Sequence, residues 1–235
     1  ISEVEVMEQL VLSLDHSGSI RASIASAREN ARVTRDLIPK DAWIALNELH
    51  GLIERQSFAG FDRSSRIRLL KQVISSCRLW HGCLVASQAR DLSWLFLRLG
   101  DRLEHADMVS RLVDPRVTQM VPGVSTRWSS YEAIGWQNLL TALGGVELYR
   151  HSARNRMHGS DVLDFVLRDT NFPQSMAAAL YSVRRYLNKL PHQRVSTDLL
   201  DGIVDGLTKL DLERLTPDLL TQNMDWIQQG LVTLP

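Results

Sequence analysis

Apolar residues recur every three to four positions along almost the whole chain, and no segment sustains the strict alternation of a strand. Val4, Met7, Leu10, Val11 and Leu14 mark a first helix, and 15–19 breaks it with the turn chemistry of Gly18 and Ser19. Ile20, Ile24, Ala27, Ala31 and Ile38 mark a second helix that Pro39 stops. A third helix runs through Trp43, Leu46, Leu49 and Ile53, with Asp41 as its expected cap. After a loop over 57–65, Ile67, Leu70, Ile74, Cys77, His81 and Leu84 mark a long helix. The next runs from about Leu92 to Val113 and ends at Asp114-Pro115, because the residue before a proline disfavours the helical region. A loop over 114–127, with Pro122 and Gly123, precedes helices at about 130–152 and 160–167. Another begins near Pro173 and ends before Pro191, and the last two cover about 197–209 and 216–231. The pattern predicts an all-α bundle of roughly nine or ten helices.

The helix from Leu92 to Val113 carries the most unusual polar pattern. Leu95, Leu99, Leu103 and Ala106 form an apolar stripe, and Gly100, Glu104, Asp107 and Arg111 share a face that borders it. A carboxylate at the edge of a core must be paired, hydrogen-bonded or functional, because stripping its water is costly. Asp107 and Arg111 are spaced as a stabilising i, i+4 pair. Glu104 has no equally clear local partner. It is read either as part of a polar network that fixes helix register or as a ligand for an amine.

A second polar row lies on the helix from Ile20 to Ile38. Arg21, Arg28, Arg32 and Arg35 follow a single-face spacing, with Glu29 and Asn30 beside them. Such a row of guanidinium forks suits carboxylates and phosphates. The same row reads equally as a solvated basic face, or as arginines paired to acids of neighbouring helices.

Composition narrows the classes. The chain has 235 residues, is 44% hydrophobic, and balances 27 basic against 27 acidic residues. The balance argues against duplex DNA or an anionic membrane as a bulk partner, so neither a nucleic-acid nor a membrane partner is expected. No apolar run approaches the length of a membrane span, and no signal-peptide pattern follows Ile1. Cys77 and Cys83 are six residues apart, which does not favour a local disulfide. These features lead to the expectation of a cytoplasmic protein. The opening on Ile1 inside a helical pattern leads to the expectation that a segment precedes it.

Catalytic signatures are sparse. Glu147 with His151 and Cys77 with His81 are lone i, i+4 pairs, short of the paired Glu-x-x-His motifs of dimetal bundles, so no metal site is expected. There is no nucleophile elbow and no phosphate loop. Gly144-Gly145 reads as a site of close helix packing. Trp43, Trp94, Trp136 and Trp226 read as core or interface. One internal echo stands out. Residues 15–20 and 169–176 both place an acid at one helix end and a serine and an apolar residue at the next helix start, which suggests an internal duplication of a helical unit.

Three segments together resemble the bacterial alpha-E family. The first is Ser19-Ile20, the run from Ala27 to Arg32, and then Trp43, Leu46 and Asn47. The second is Trp94, Phe96 to Gly100, Leu103-Glu104, Ala106 to Met108, and Arg111. The third is Phe165 to Leu167, Asp169, Phe172-Pro173 and Ser175. The family pattern leads one to expect arginine where Asp101 and His105 stand, and Asn-Pro where Ser17-Gly18 stand. The resemblance implies one alpha-E-like helical domain over 1–235, with the family's opening helices missing.

The resemblance further implies a cytoplasmic bacterial protein associated with a circularly permuted ATP-grasp domain. It points towards peptide or amide bond formation or modification. On this reading the chain is a helical partner of an ATP-grasp-type ligase and needs no cofactor of its own, with ATP entering only through that partner. Arg28, Glu29, Asn30, Arg32, Arg98 and Arg111 would bind an anionic group, and Glu104 and Asp107 an amine. A peptide or amino-acid substrate, and a homo-oligomer, fit the same reading. Two alternatives stay open. The chain is an enzyme acting on a peptide or amide, with Glu104 or Asp107 as general base and Arg28 or Arg32 at an oxyanion. Or it is a structural oligomerisation module.

Overall fold

A computed structural model describes residues 2–57, 62–114, 130–152, 157–191 and 194–234. Among them the chain is all-α, with eleven α-helices, one 3₁₀ turn and no strand. It divides into two compact units, 1–93 and 94–235.

In the first unit α1 spans Glu3–Val11, α2 Ile20–Val33, α3 Lys40–Glu54 and α4 Arg63–Ser87. A capping box opens α1: the Ser2 hydroxyl accepts from the Glu5 amide, and the Glu5 carboxylate accepts from the Ser2 amide. The α2 helix ends earlier than its apolar period suggests, and 35–37 form a 3₁₀ turn. Arg35 therefore lies off the α-helical row of Arg21, Arg28 and Arg32. Pro39 stands at the N-cap of α3, so Asp41 lies in the first turn instead of capping it. The acid still faces the positive end of the helix dipole there. Asp62 caps α4, and its carboxyl is held down to about 2 by hydrogen bonds from Ser65 and Ser64. The core of this unit gathers Val11, Leu12, Ile24, Leu49, Ile53, Leu69 and Val73, with α3 packed on both α2 and α4.

The second unit takes up α5, Leu92–Val113, from Trp94 onwards. It continues with α6 Ser130–Ala142, α7 Val146–His151, α8 Gly159–Arg168, α9 Met176–Leu187, α10 Arg194–Lys209 and α11 Pro217–Val232. The expected stripe on α5 is real: Leu99 and Ala106 are buried, and Leu95 and Leu103 pack against the same core. Each large side chain buried in this way is worth about 1.5–3 kcal/mol of transfer free energy. The expected loop with Pro122 and Gly123 lies outside the described residues, apart from Asp114, which the Thr221 hydroxyl reaches at 3.0 Å.

One helix expected over 130–152 is in fact two. Gly144 sits at φ +66, where only glycine is unstrained, and the Gly145 and Gly144 amides donate back to the carbonyls of Leu140 and Thr141. This is a Schellman ending, and it turns the chain into α7. Gly145 is a point of close packing, as read: a Cβ there would lie 2.7 Å from Cζ of Phe172. Phe172 stacks on Phe165, which meets Tyr149 edge-on, so the break in the helix is locked over an aromatic cluster. The helix expected near Pro173 starts at Met176. Trp226, expected in a core or an interface, is 46% exposed and so lies outside the core.

The two echoed segments form matching junctions. Ser19 and Ser175 are both fully buried N-caps, each accepting from the amide three residues on. Each hydroxyl also donates to the carbonyl six residues back, Ser13 for Ser19 and Asp169 for Ser175. Each serine amide closes the same turn, onto the carbonyls of His16 and Phe172.

Candidate functional site

The arginine row of α2 is consumed within the first unit. Arg21 forms a bidentate pair with Glu54 of α3. Arg28 donates Nε to the Asn47 side chain at 2.8 Å and lies 5.8 Å from the centre of the Trp43 ring. Arg35 approaches the same ring at 5.5 Å. Trp43 thus serves as a half-buried platform for two guanidinium groups. Arg32 pairs with Glu29 one turn earlier at 2.6 Å, and both are exposed. Arg32 holds the Glu29 carboxyl below the usual range, first through its hydrogen bond. Asn30 is exposed and offers its carbonyl to the Thr34 amide. The pairing of Arg21 and Arg28 follows the alternative in which the row serves the packing of α2 on α3.

In the second unit the acids of α5 divide. Arg111 holds Asp107 through Nε at 2.8 Å, the expected i, i+4 pair. Glu104 is exposed. Between them on the opposite side, His105 is buried, and its Nε2 lies 3.0 Å from the Gln174 carbonyl oxygen, just before the Ser175 cap. A carbonyl only accepts, so Nε2 carries the proton.

A further polar constellation gathers around Arg98 and Asp101 of α5. Asp101 binds both Arg98, at 2.8 Å, and Arg102, at 2.9 Å. Arg98 lies 5.1 Å from the centre of the Trp94 ring. The Trp94 ring in turn stands 6.0 Å from that of Tyr186, at the end of α9. The Tyr186 hydroxyl accepts from Arg185 at 3.2 Å and from Arg98. Burial pushes this phenol up, but the hydrogen bonds and charges of Arg98 and Arg185 outweigh it and hold the group below the ordinary tyrosine value. Two guanidinium groups therefore meet a polarised phenol beside an indole, and Asp101 links one of them, Arg98, to a third, Arg102. The side chains of Arg98 and Arg102 are only 17% and 16% exposed.

Tyr186, Arg185 and Arg102 escape a sequence reading because their partners are distant in the chain or lie one residue along the helix, off the face that was traced. The one available signal was Arg184-Arg185-Tyr186 at the close of an apolar helix. No group of three or more His, Cys, Asp or Glu suited to a metal occurs among the described residues. No helix among them is long and apolar enough to cross a membrane.

The comparisons place the chain in a class of helical domains. The profile of one family, described as a predicted alpha-helical domain with a conserved ER motif, matches residues 2–234. The chain belongs to the alpha-E family. It is also similar to uncharacterized protein Mb2597 of Mycobacterium bovis and uncharacterized protein MT2643 of Mycobacterium tuberculosis. Each is 21% identical over 186 residues, covering 77% of this chain and 20% of the relative. The chain thus spans about a fifth of the length of these curated relatives. No solved structure matches it. Where the resemblance leads one to expect Glu-Arg, this chain has Glu104-His105.

Proposed function

We propose that this chain is a helical partner of an ATP-grasp-type ligase and presents an anionic group of a peptide or amino-acid substrate to it. The observation that carries the reading is the meeting of Arg98 and Arg185 at Tyr186, beside Trp94, with Arg102 joined to Arg98 through Asp101. Guanidinium forks match a carboxylate or acyl phosphate in shape and charge, and the partial burial of Arg98 and Arg102 strengthens their charge-assisted bonds, while Arg185 is exposed. Asp101 spaces the forks of Arg98 and Arg102. The phenol adds a donor that lies beside two cations. Arg98 belongs to the anion-binding set read from the sequence, and Arg102, Arg185 and Tyr186 extend it. Arg28 and Arg32 serve the first unit, and Arg111 holds Asp107.

The test uses the chain together with the ATP-grasp-type ligase of its own bacterium, both purified. ADP release is measured with and without the chain, and the mixture is run on gel filtration. The proposal expects a shared peak and faster ADP release in the presence of an acceptor peptide. No complex and no change in ADP release would refute it.

A further inference from the structure

The exposed face of α4 offers a second surface, in the first unit, that is independent of the reading above. Ile67, Lys71, Ile74, Arg78 and Val85 fall on one helical face by spacing and are all exposed, Ile67 by 45% and Ile74 by 49%. From Ile67 to Val85 the stripe is about 27 Å long at about 1.5 Å per residue. Its first turns open into a groove of about 690 Å³ between α3 and α4, walled on the α3 side by Leu52 and Arg55. The side chains of Arg55, Lys71 and Arg78 make no hydrogen bond or ion pair with another described residue. The surface therefore alternates apolar contacts with uncommitted cations, at the period of a helix and over the length of five turns.

Single exposed aliphatic residues are common on this chain, but here they alternate with unbonded cations on one helical face. Isoleucines that lie exposed between cations match an amphipathic helix whose apolar residues seat on Ile67 and Ile74 and whose carboxylates reach Arg55, Lys71 and Arg78. We propose that this face docks an acidic amphipathic helix of a partner protein. Charge complementarity selects it over a basic helix, which these cations repel. Glu48, also on the α3 wall, favours a basic residue at one end of the ligand and so sets its direction.

The experiment uses the full chain and a fluorescein-labelled synthetic helix with leucines at heptad spacing, glutamates between them and one terminal lysine. A second peptide replaces each glutamate by glutamine. Binding is read by fluorescence anisotropy, and the oligomeric state by light scattering. The proposal expects saturable binding of the acidic peptide and at least tenfold weaker binding of the glutamine peptide. It expects at least tenfold loss in an Arg55→Glu/Lys71→Glu variant whose helical circular dichroism matches wild type. Both cations are exposed and unbonded, so this variant folds. Absent binding, equal binding of both peptides, or binding insensitive to the charge reversals would overturn it. So would a dimer that the same substitutions dissociate, because a second copy of the chain would then be the occupant.

Discussion

The Nε2 atom of His105 donates to the main-chain oxygen of Gln174 across 3.0 Å, tying α5 to the turn that opens α9. This histidine replaces the arginine expected from the family resemblance, and it keeps a buried donor where arginine would bring a permanent charge.

That substitution predicts an acid-labile step. Burial, the main cause, depresses the folded-state value of His105 below its ordinary 6.5, while the bond to Gln174 opposes the shift. The unfolded chain therefore takes up the proton first, and stability falls with pH from about 6.5 down to the folded-state value. Urea unfolding from pH 5 to 8 checks this: wild type weakens below about pH 6.5, and His105→Ala loses that part of the slope. At pH 8 His105→Ala costs about 1–3 kcal/mol through the orphaned carbonyl and the cavity.

The paired serine junctions predict matching penalties. Ser19→Ala and Ser175→Ala each remove an N-cap and a buried hydroxyl donor, at about 1–2 kcal/mol apiece. Hydrogen exchange, resolved along the chain, should show the loss confined to 2–93 for Ser19→Ala and to 94–234 for Ser175→Ala. A single shared loss would contradict the division into two units.

Gly145→Ala tests the aromatic lock. The added methyl meets Phe172, which is itself held on Phe165, so the ring has no room to yield. The expected cost is about 1–3 kcal/mol in chemical denaturation. Gly206→Ala meets Trp226 at a similar distance, yet that ring is half exposed and swings aside. Its clash is offset by the helix propensity of alanine, and the net change stays within about 1 kcal/mol.

Arg111 and Glu104, both exposed on α5, predict small effects. Arg111→Ala removes the pair with Asp107 and a weaker attraction to Glu104, and costs no more than about 0.5 kcal/mol. Glu104→Gln shifts the unfolding midpoint by a similarly small amount, because the side chain is exposed. A thermal melt of each variant beside wild type checks both.

The bundle was legible in the sequence because burial on helices leaves a periodic trace. Leu95, Leu99, Leu103 and Ala106 announce the buried side of α5 without any tertiary information. The break at Gly144 was not legible, because apolar residues continue in helical period across it and only the backbone angle reveals the turn. The echo between 15–20 and 169–176 was legible, since a capping serine is a local device. The arginine row of α2 was legible as a row, and pairing to a neighbouring helix was one of its readings, but the partners were not, because Glu54, Asn47 and Trp43 reach it from another helix. The cluster around Tyr186 was hidden for the same reason. Trp94 and Tyr186 are 92 positions apart, and no local spacing joins them.

The central claim, that Arg98, Arg102, Arg185 and Tyr186 form an anion site, is tested most directly by calorimetric titration of the whole chain with N-acetyl-L-glutamate. Wild type should give a saturable heat at low salt, at least tenfold weaker in Arg185→Gln and in Tyr186→Phe and unchanged in Arg32→Ala. No heat in wild type, or the same affinity in all four proteins, would contradict the account.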